Sequence, residues 1–350
     1  MGTKENPMST PDTSFPATPV RRSVSELIPQ LQYLTINTKE ISTLAVELAE
    51  EEFPLPAWRA PVFPDENNTG VTTEDVINFL FLGNTINFQF RDYSTGEKFA
   101  AEYAGSEWQG AFGMWACLKR EFEENPAILA GETLAALSRS DVERLFASSN
   151  GIPIPMIEER VQTLNSVGRR LEDQYQGEFA NLVKQSKPQL FADGDGIVDH
   201  LVSKFPSFRD SALIEMMNEE HLEISFWKRA QLAPGMAYGR FQDSTAFELK
   251  DPEAFTVFVD YNLPNVLRGY NILEYSEQLA KLVDNRKMVQ AGSRQEVELR
   301  AATIHAADRL IEEINTRQET PIFAPHMDYK LFTMRDNIST PVHLTQTTAY

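Results

Sequence analysis

The sequence predicts a mainly α protein folded as one compact domain with a few short strands. Two observations set the class: apolar residues recur at spacings of three and four through most of the chain, and segments with strand character are few. A third sets the domain count. No Gly-, Pro- or charge-rich linker divides the chain after residue 20, and no period of roughly 20–50 residues repeats.

Residues 1–20 are rich in Ser, Thr and Pro, with Glu5 and Asp12 among them, a composition that reads as a disordered N-terminal tail. The single domain then covers 21–350. Arg21-Arg22-Ser23 has the form of a kinase substrate site, although such short patterns also arise by chance. Over 23–52, Leu27, Leu31, Leu34, Ile41, Leu44 and Leu48 keep the spacing of an amphipathic helix pair, which Phe53-Pro54-Leu55-Pro56 stops. Residues 58–70 form an irregular connection, the kind of segment that often lines a site. Thr73-Glu74-Asp75 opens an apolar run reaching Phe90 that fits either a buried helix or a core strand. Helical spacing dominates 108–122, 138–146 (with Ser138 to Asp141 as a capping cue) and 156–175, and a shorter amphipathic pattern covers 197–205. The clearest strand pattern is 255–259, with a helix start near Pro264. Ser293-Arg294-Gln295-Glu296 matches a capping box, and Val297, Ala301, Ile304, Ala307 and Ile311 share one face of the helix it starts.

Charge and composition narrow the function. The chain has 350 residues with 32 basic against 51 acidic, a net charge of -19, which argues against a nucleic-acid polymer as partner. One cysteine, Cys117, excludes an intramolecular disulfide framework and a Cys-rich zinc site and points to the reducing cytoplasm. No run reaches the ~18 apolar residues of a membrane span, and the N-terminus lacks a secretory succession. Dinucleotide, Walker and nucleophile-elbow signatures are missing and the five His are scattered, so neither a metal nor an organic cofactor is expected. Asp193-Gly194-Asp195-Gly196 with Asp199 glances at a calcium loop but lacks its full ligand ladder.

Two stretches offer chemistry. Phe226-Trp227-Lys228-Arg229-Ala230-Gln231 sets aromatic faces beside two cations and an amide, suited to a flat heterocycle carrying a phosphate. The plain alternative is an amphipathic helix with solvated cations. Phe255 to Val259 delivers Asp260 to the start of the following helix, where a fixed anion stabilises a sugar cation or orients attacking water. Helix capping is the commoner fate of such an Asp. Arg268, one turn beyond Pro264, faces either that pocket or solvent. Asp328 with Tyr329 and Phe332 offers a second wall, or a segment simply docked on the core.

Taken in order, several blocks resemble the queuosine salvage protein family, the queuosine 5′-phosphate N-glycosylase/hydrolases that release queuine. They are Ile86-Asn87-Phe88-Gln89-Phe90, Pro155 to Val161, Phe205 to Asp210, Phe226 to Gln231, Phe258 to Leu267, Gly292 to Ala301 and His343 to Tyr350. The resemblance implies a mostly helical fold related to helix-hairpin-helix DNA glycosylases, acting on a free nucleotide as its small-molecule partner. By position it implies Asp260 beside the anomeric carbon, Lys228 and Arg268 as phosphate or ribose contacts, and Asp328 at the base or its amino-diol arm. Asn84, Phe88, Trp227, Gln231, Tyr261 and Phe332 complete the implied substrate-binding set. The chain departs from the family pattern at Asn84 (an acid there), Arg91 (a Trp), Ala111-Phe112 (a Tyr-Trp pair), the missing His near Val62-Phe63-Pro64, and Thr333 (an acid). The expected activity is hydrolysis of the N-glycosidic bond of queuosine 5′-phosphate. The alternatives are a binding protein that has lost turnover and a glycosylase for a related purine-like nucleotide.

Overall fold

The computed structural model describes residues 15–216 and 219–350. Most of the tail expected over 1–20 lies outside the described residues. Its end does not: Thr18 caps α1 (Pro19–Leu27) by accepting the Arg21 N–H, with Pro19 at the first helical position. Arg21 is buried, paired with Asp308 at 2.9 Å and donating to the Glu253 and Phe255 carbonyls. Ser23 is buried as well and donates to the Val20 carbonyl. The phosphorylation reading of Arg21-Arg22-Ser23 is therefore corrected: the serine is spent inside the fold.

The predicted helix pair of 23–52 is α1 and α2 (Thr38–Leu48) with a short strand, β1 (Leu34–Ile36), between them. The apolar run from Thr73 resolves as helix α3 (Thr73–Thr85), started by a Thr72/Asp75 capping box and buried on all sides from Val76 onward. Next come β2 (Ala100–Tyr103) and β3 (Ser106–Gln109), which claims Trp108 from the expected helix. Gly110, at φ 61° and ψ -129°, turns the chain into α4 (Ala111–Glu124), a backbone conformation that favours glycine. Helices α5 (Gly131–Ala136), α6 (Arg139–Leu145), α7 (Ile157–Tyr175), α8 (Phe179–Gln185) and α9 (Ile197–Lys204) follow. Ser138 and Asp141 make the predicted capping box of α6.

Hairpin β4 (Ser211–Glu215) and β5 (His221–Ser225) leads into α10 (Lys228–Arg240). The expected strand at 255–259 is absent. Its backbone bonds go to side chains instead: the Thr256 N–H donates to Gln231 Oε1, the Phe258 N–H to Asp328, and the Phe255 carbonyl accepts from Arg21. An aromatic and β-branched run has the look of a strand, but here no neighbouring strand pairs with it. After α11 (Asn262–Gly269), β6 (Leu273–Tyr275) pairs antiparallel with β1, Leu34 opposite Tyr275. Helices α12 (Glu277–Asp284), α13 (Arg294–Asn315) and α14 (Ala324–Met334) complete the chain.

Helix α13 is the axis of the core: Val297, Ala301, Ile304, Ala307 and Ile311 are all at most 1% exposed. Its cap is half the predicted box. Ser293 Oγ accepts the Glu296 N–H, but the Glu296 carboxylate accepts from Gly292, one residue earlier than the box requires. Among the described residues no helix is long and apolar enough to cross a membrane.

Candidate active site

Six segments distant in sequence meet at one cavity of about 150 Å³. The first is the β5–α10 elbow. Trp227 there adopts a left-handed backbone (φ 50°), and Asp210 holds the turn by accepting the Phe226 and Trp227 N–H groups on its carbonyl. Asp210 is itself gripped bidentately by Arg300 from α13. The elbow sends Lys228 into the cavity, 7% exposed and without a hydrogen bond or ion pair on its ammonium among the described residues. Arg229 turns the other way, buried against the Asn84, Thr85 and Ser207 carbonyls and over the Phe88 and Phe208 rings. Both cations are buried, so the reading of a helix with solvated cations is overturned.

The second segment ends in Asp260, which lines the cavity and is half-buried. Just ahead of α11, whose N-cap is Tyr261 with no side-chain capping bond, its Oδ1 accepts the Asn262 N–H at 2.6 Å and its Oδ2 the Asn262 Nδ2 at 2.8 Å. The capping reading is corrected, since the cap position belongs to Tyr261, and the two bonds from Asn262 fix the carboxylate's orientation. The third is α14, which contributes Asp328, Tyr329 and Phe332 to the lining. Asp328 accepts the Phe258 N–H at 2.6 Å. Burial pushes its carboxyl up to about 7, aided by the Asp260 charge and opposed by the Phe258 hydrogen bond and Lys228. Burial lowers the Lys228 ammonium below the usual lysine range, while Asp260 and Asp328 favour its charge. Two carboxylates and one cation thus share a largely apolar chamber, the setting in which protonation states are tuned for catalysis.

The other segments supply walls that sequence reasoning only half found. Of the connection 58–70 expected to line a site, Trp58 does so; Leu55 and Pro56, from the stop that precedes it, line the cavity as well. Trp58 has φ 49° and is held by buried Arg240, which donates to the Trp58 and Pro64 carbonyls and pairs with Glu66. Phe112 and Trp115 of α4 face the same space and continue the aromatic series through Phe63. At the Tyr-Trp departure, Phe112 keeps an aromatic face on the cavity.

The remaining expected contacts fall outside the lining. Asn84 sits behind it, accepting from Asn87 Nδ2 at 3.0 Å, and Asn87 is the residue that reaches the cavity. Phe88 is a platform under the Arg160 and Arg229 guanidiniums. Trp227 packs on Phe191. Gln231 is fully buried, bridging Phe226 and Thr256. Tyr261 lies beside Asp260, its phenol raised chiefly by burial. Arg268 is paired with Asp284 at 2.7 Å and stacks over Tyr275, turned away from the cavity. Thr333 is exposed on α14. In the calcium-like loop the Asp199 carboxylate accepts the Ala192, Gly194 and Gly196 N–H groups, so it serves as a loop clamp.

Residues 67–350 match the family model described as queuosine salvage protein. The chain belongs to the queuosine salvage protein family. Among its relatives in this family, a queuosine 5′-phosphate N-glycosylase/hydrolase of Sphaerobacter thermophilus is 28% identical over 335 residues, spanning 95% of this chain and 97% of that protein. Proteins of the same name from Mus musculus (29% identity, 76% and 78% of the two chains) and Bos taurus (28%, 80% and 81%) are also similar. The matched region of the queuosine salvage fold contains Lys228, Asp260 and Asp328. Leu55, Pro56 and Trp58 precede it.

Proposed function

We propose that the chain hydrolyses the N-glycosidic bond of queuosine 5′-phosphate and releases queuine for reuse in tRNA modification. The observation that carries this reading is the meeting of Asp260, Asp328 and Lys228 in one aromatic-walled cavity. The relatives' shared name supplies the substrate. Trp58 and Phe112 offer flat faces to the base, and Asp260 faces the sugar. As the C1′–N bond breaks, its electron pair leaves with the base, and the positive charge on the sugar is stabilised by the Asp260 carboxylate. Water then bonds to C1′, and its proton passes to a carboxylate. Asp328, with a pKa near neutrality, supplies the proton that the departing base takes up. Lys228 balances the two acids.

On this reading residues 21–350 act as a single unit related to helix-hairpin-helix DNA glycosylases, working in the cytoplasm on a free nucleotide. Incubation with queuosine 5′-phosphate followed by mass spectrometry tests it: free queuine accumulates in proportion to enzyme. Calorimetric binding of the nucleotide with no base released identifies a binding protein instead.

A further inference from the structure

Two adjacent cations open α10, and neighbouring side chains on a helix point about 100° apart, so only one of them can face the cavity. The elbow decides which. Lys228 enters the chamber, whereas Arg229 is spent on carbonyls behind it. With no hydrogen bond or ion pair on it among the described residues, the Lys228 ammonium is placed by its backbone rather than drawn in by a partner.

That backbone is held from outside α10. Trp227 stands at φ 50° and ψ 40°, a left-handed conformation that a bulky residue keeps only where its surroundings impose it, and its own side chain makes no capping bond. Asp210, just before β4, supplies the constraint. Its carbonyl accepts the Phe226 and Trp227 N–H groups at 2.9 and 3.2 Å, and its Oδ2 accepts the Lys228 N–H at 3.4 Å, so one residue takes three consecutive amides. The β4–β5 hairpin brings it there by pairing Ser211 with Ser225. Arg300 fixes the carboxylate in turn, donating to both oxygens from a side chain 2% exposed that lies 3.9 Å over the ring of Phe226. A planar fork on both oxygens sets the carboxylate's direction as well as neutralising its charge.

We propose that Asp210, anchored by Arg300, is the positioning residue for Lys228: it holds the elbow in the conformation that turns the lysine, and not Arg229, toward Asp260 and Asp328. This rests on the proposed hydrolysis and adds to it a residue outside the cavity lining. The test is kcat/KM for queuosine 5′-phosphate in wild type, Asp210→Asn, Lys228→Met and the double variant, with Arg300→Lys as a second disturbance of the pair. Asp210→Asn should lose about 10–100-fold in the wild-type background but less than about twofold in Lys228→Met, because the lysine it aims is already gone. Urea midpoints should fall alike in both backgrounds. Arg300→Lys, which keeps the charge without the fork, should follow the same pattern. Equal losses of activity in both backgrounds make Asp210 merely structural and overturn the proposal, as does an unaltered rate. The aim of Lys228 is also read without turnover, by the NMR titration of its Cε methylene, assigned by its disappearance in Lys228→Met. In Asp210→Asn and Arg300→Lys the ammonium should titrate closer to the ordinary lysine range as it leaves the buried chamber, and an unmoved or further lowered titration rejects the role. If wild type releases no base, the hydrolysis fails on its own account, and this titration still decides the positioning.

Discussion

At the scale of single residues, the proposed function turns on three side chains whose environments differ. Asp260 is held by two bonds from Asn262, Asp328 by one from Phe258 in a drier setting, and the Lys228 ammonium by none among the described residues. With its carboxyl raised to about 7, Asp328 acting as the proposed acid should give kcat/KM a limb that declines as pH rises through neutrality, because the proton for the leaving base is lost there. A rate profile flat across that interval removes Asp328 as the acid. The same shift bears on stability: the folded chain binds this proton more tightly than the unfolded one, so between about 4 and 7 Asp328's contribution to stability shrinks with rising pH. Asp328→Asn should flatten that part of a urea-midpoint profile. Phe226 to Gln231 and Asp260 were legible in sequence because cations and acids beside aromatics are conspicuous. Trp58 was legible only as part of a connection that often lines a site, because its placing depends on a left-handed turn and on Arg240, far away in the chain.

At the scale of elements, local signals were read best. The Ser138/Asp141 box starts its helix, and 156–175 matches α7 to within a residue. Segments stabilised by distant side chains were misread, as at 255–259, where Gln231 and Asp328 take the place of a partner strand. Close helix contacts were also invisible. Where α5 crosses α7, a methyl group on Gly168 would lie 2.3 Å from the Ala135 nitrogen and 2.5 Å from the Gly131 carbonyl oxygen, both backbone atoms that cannot swing aside. Gly168→Ala should therefore destabilise the protein by about 1–3 kcal/mol in urea titration, and a neutral result would mean the helices separate freely.

At the scale of the whole molecule, the final segment ties the fold to the site. Tyr350 is buried; its hydroxyl donates to Glu296, its carbonyl accepts the Gln89 N–H beside the Asn87 wall, and its ring lies under Arg300, which grips Asp210 behind Lys228. His343 packs against it, lowered to about 3 by burial and by the Arg300 charge. The unfolded chain thus binds a proton that the folded chain refuses, and stability is lost as pH falls from about 6.5 toward 3. His343→Gln should shallow that acid limb by up to about 1.4 kcal/mol per pH unit; an identical limb would refute the assignment. Composition and spacing disclosed the helical class, but the convergence of six segments on one chamber is a property of tertiary packing. The account stands or falls on the Asp260 carboxylate. In single-turnover mass spectrometry with excess enzyme, wild type should convert queuosine 5′-phosphate to free queuine, and Asp260→Asn, still binding the nucleotide, should do so about a hundredfold or more slowly. Equal rates in the two proteins would contradict it.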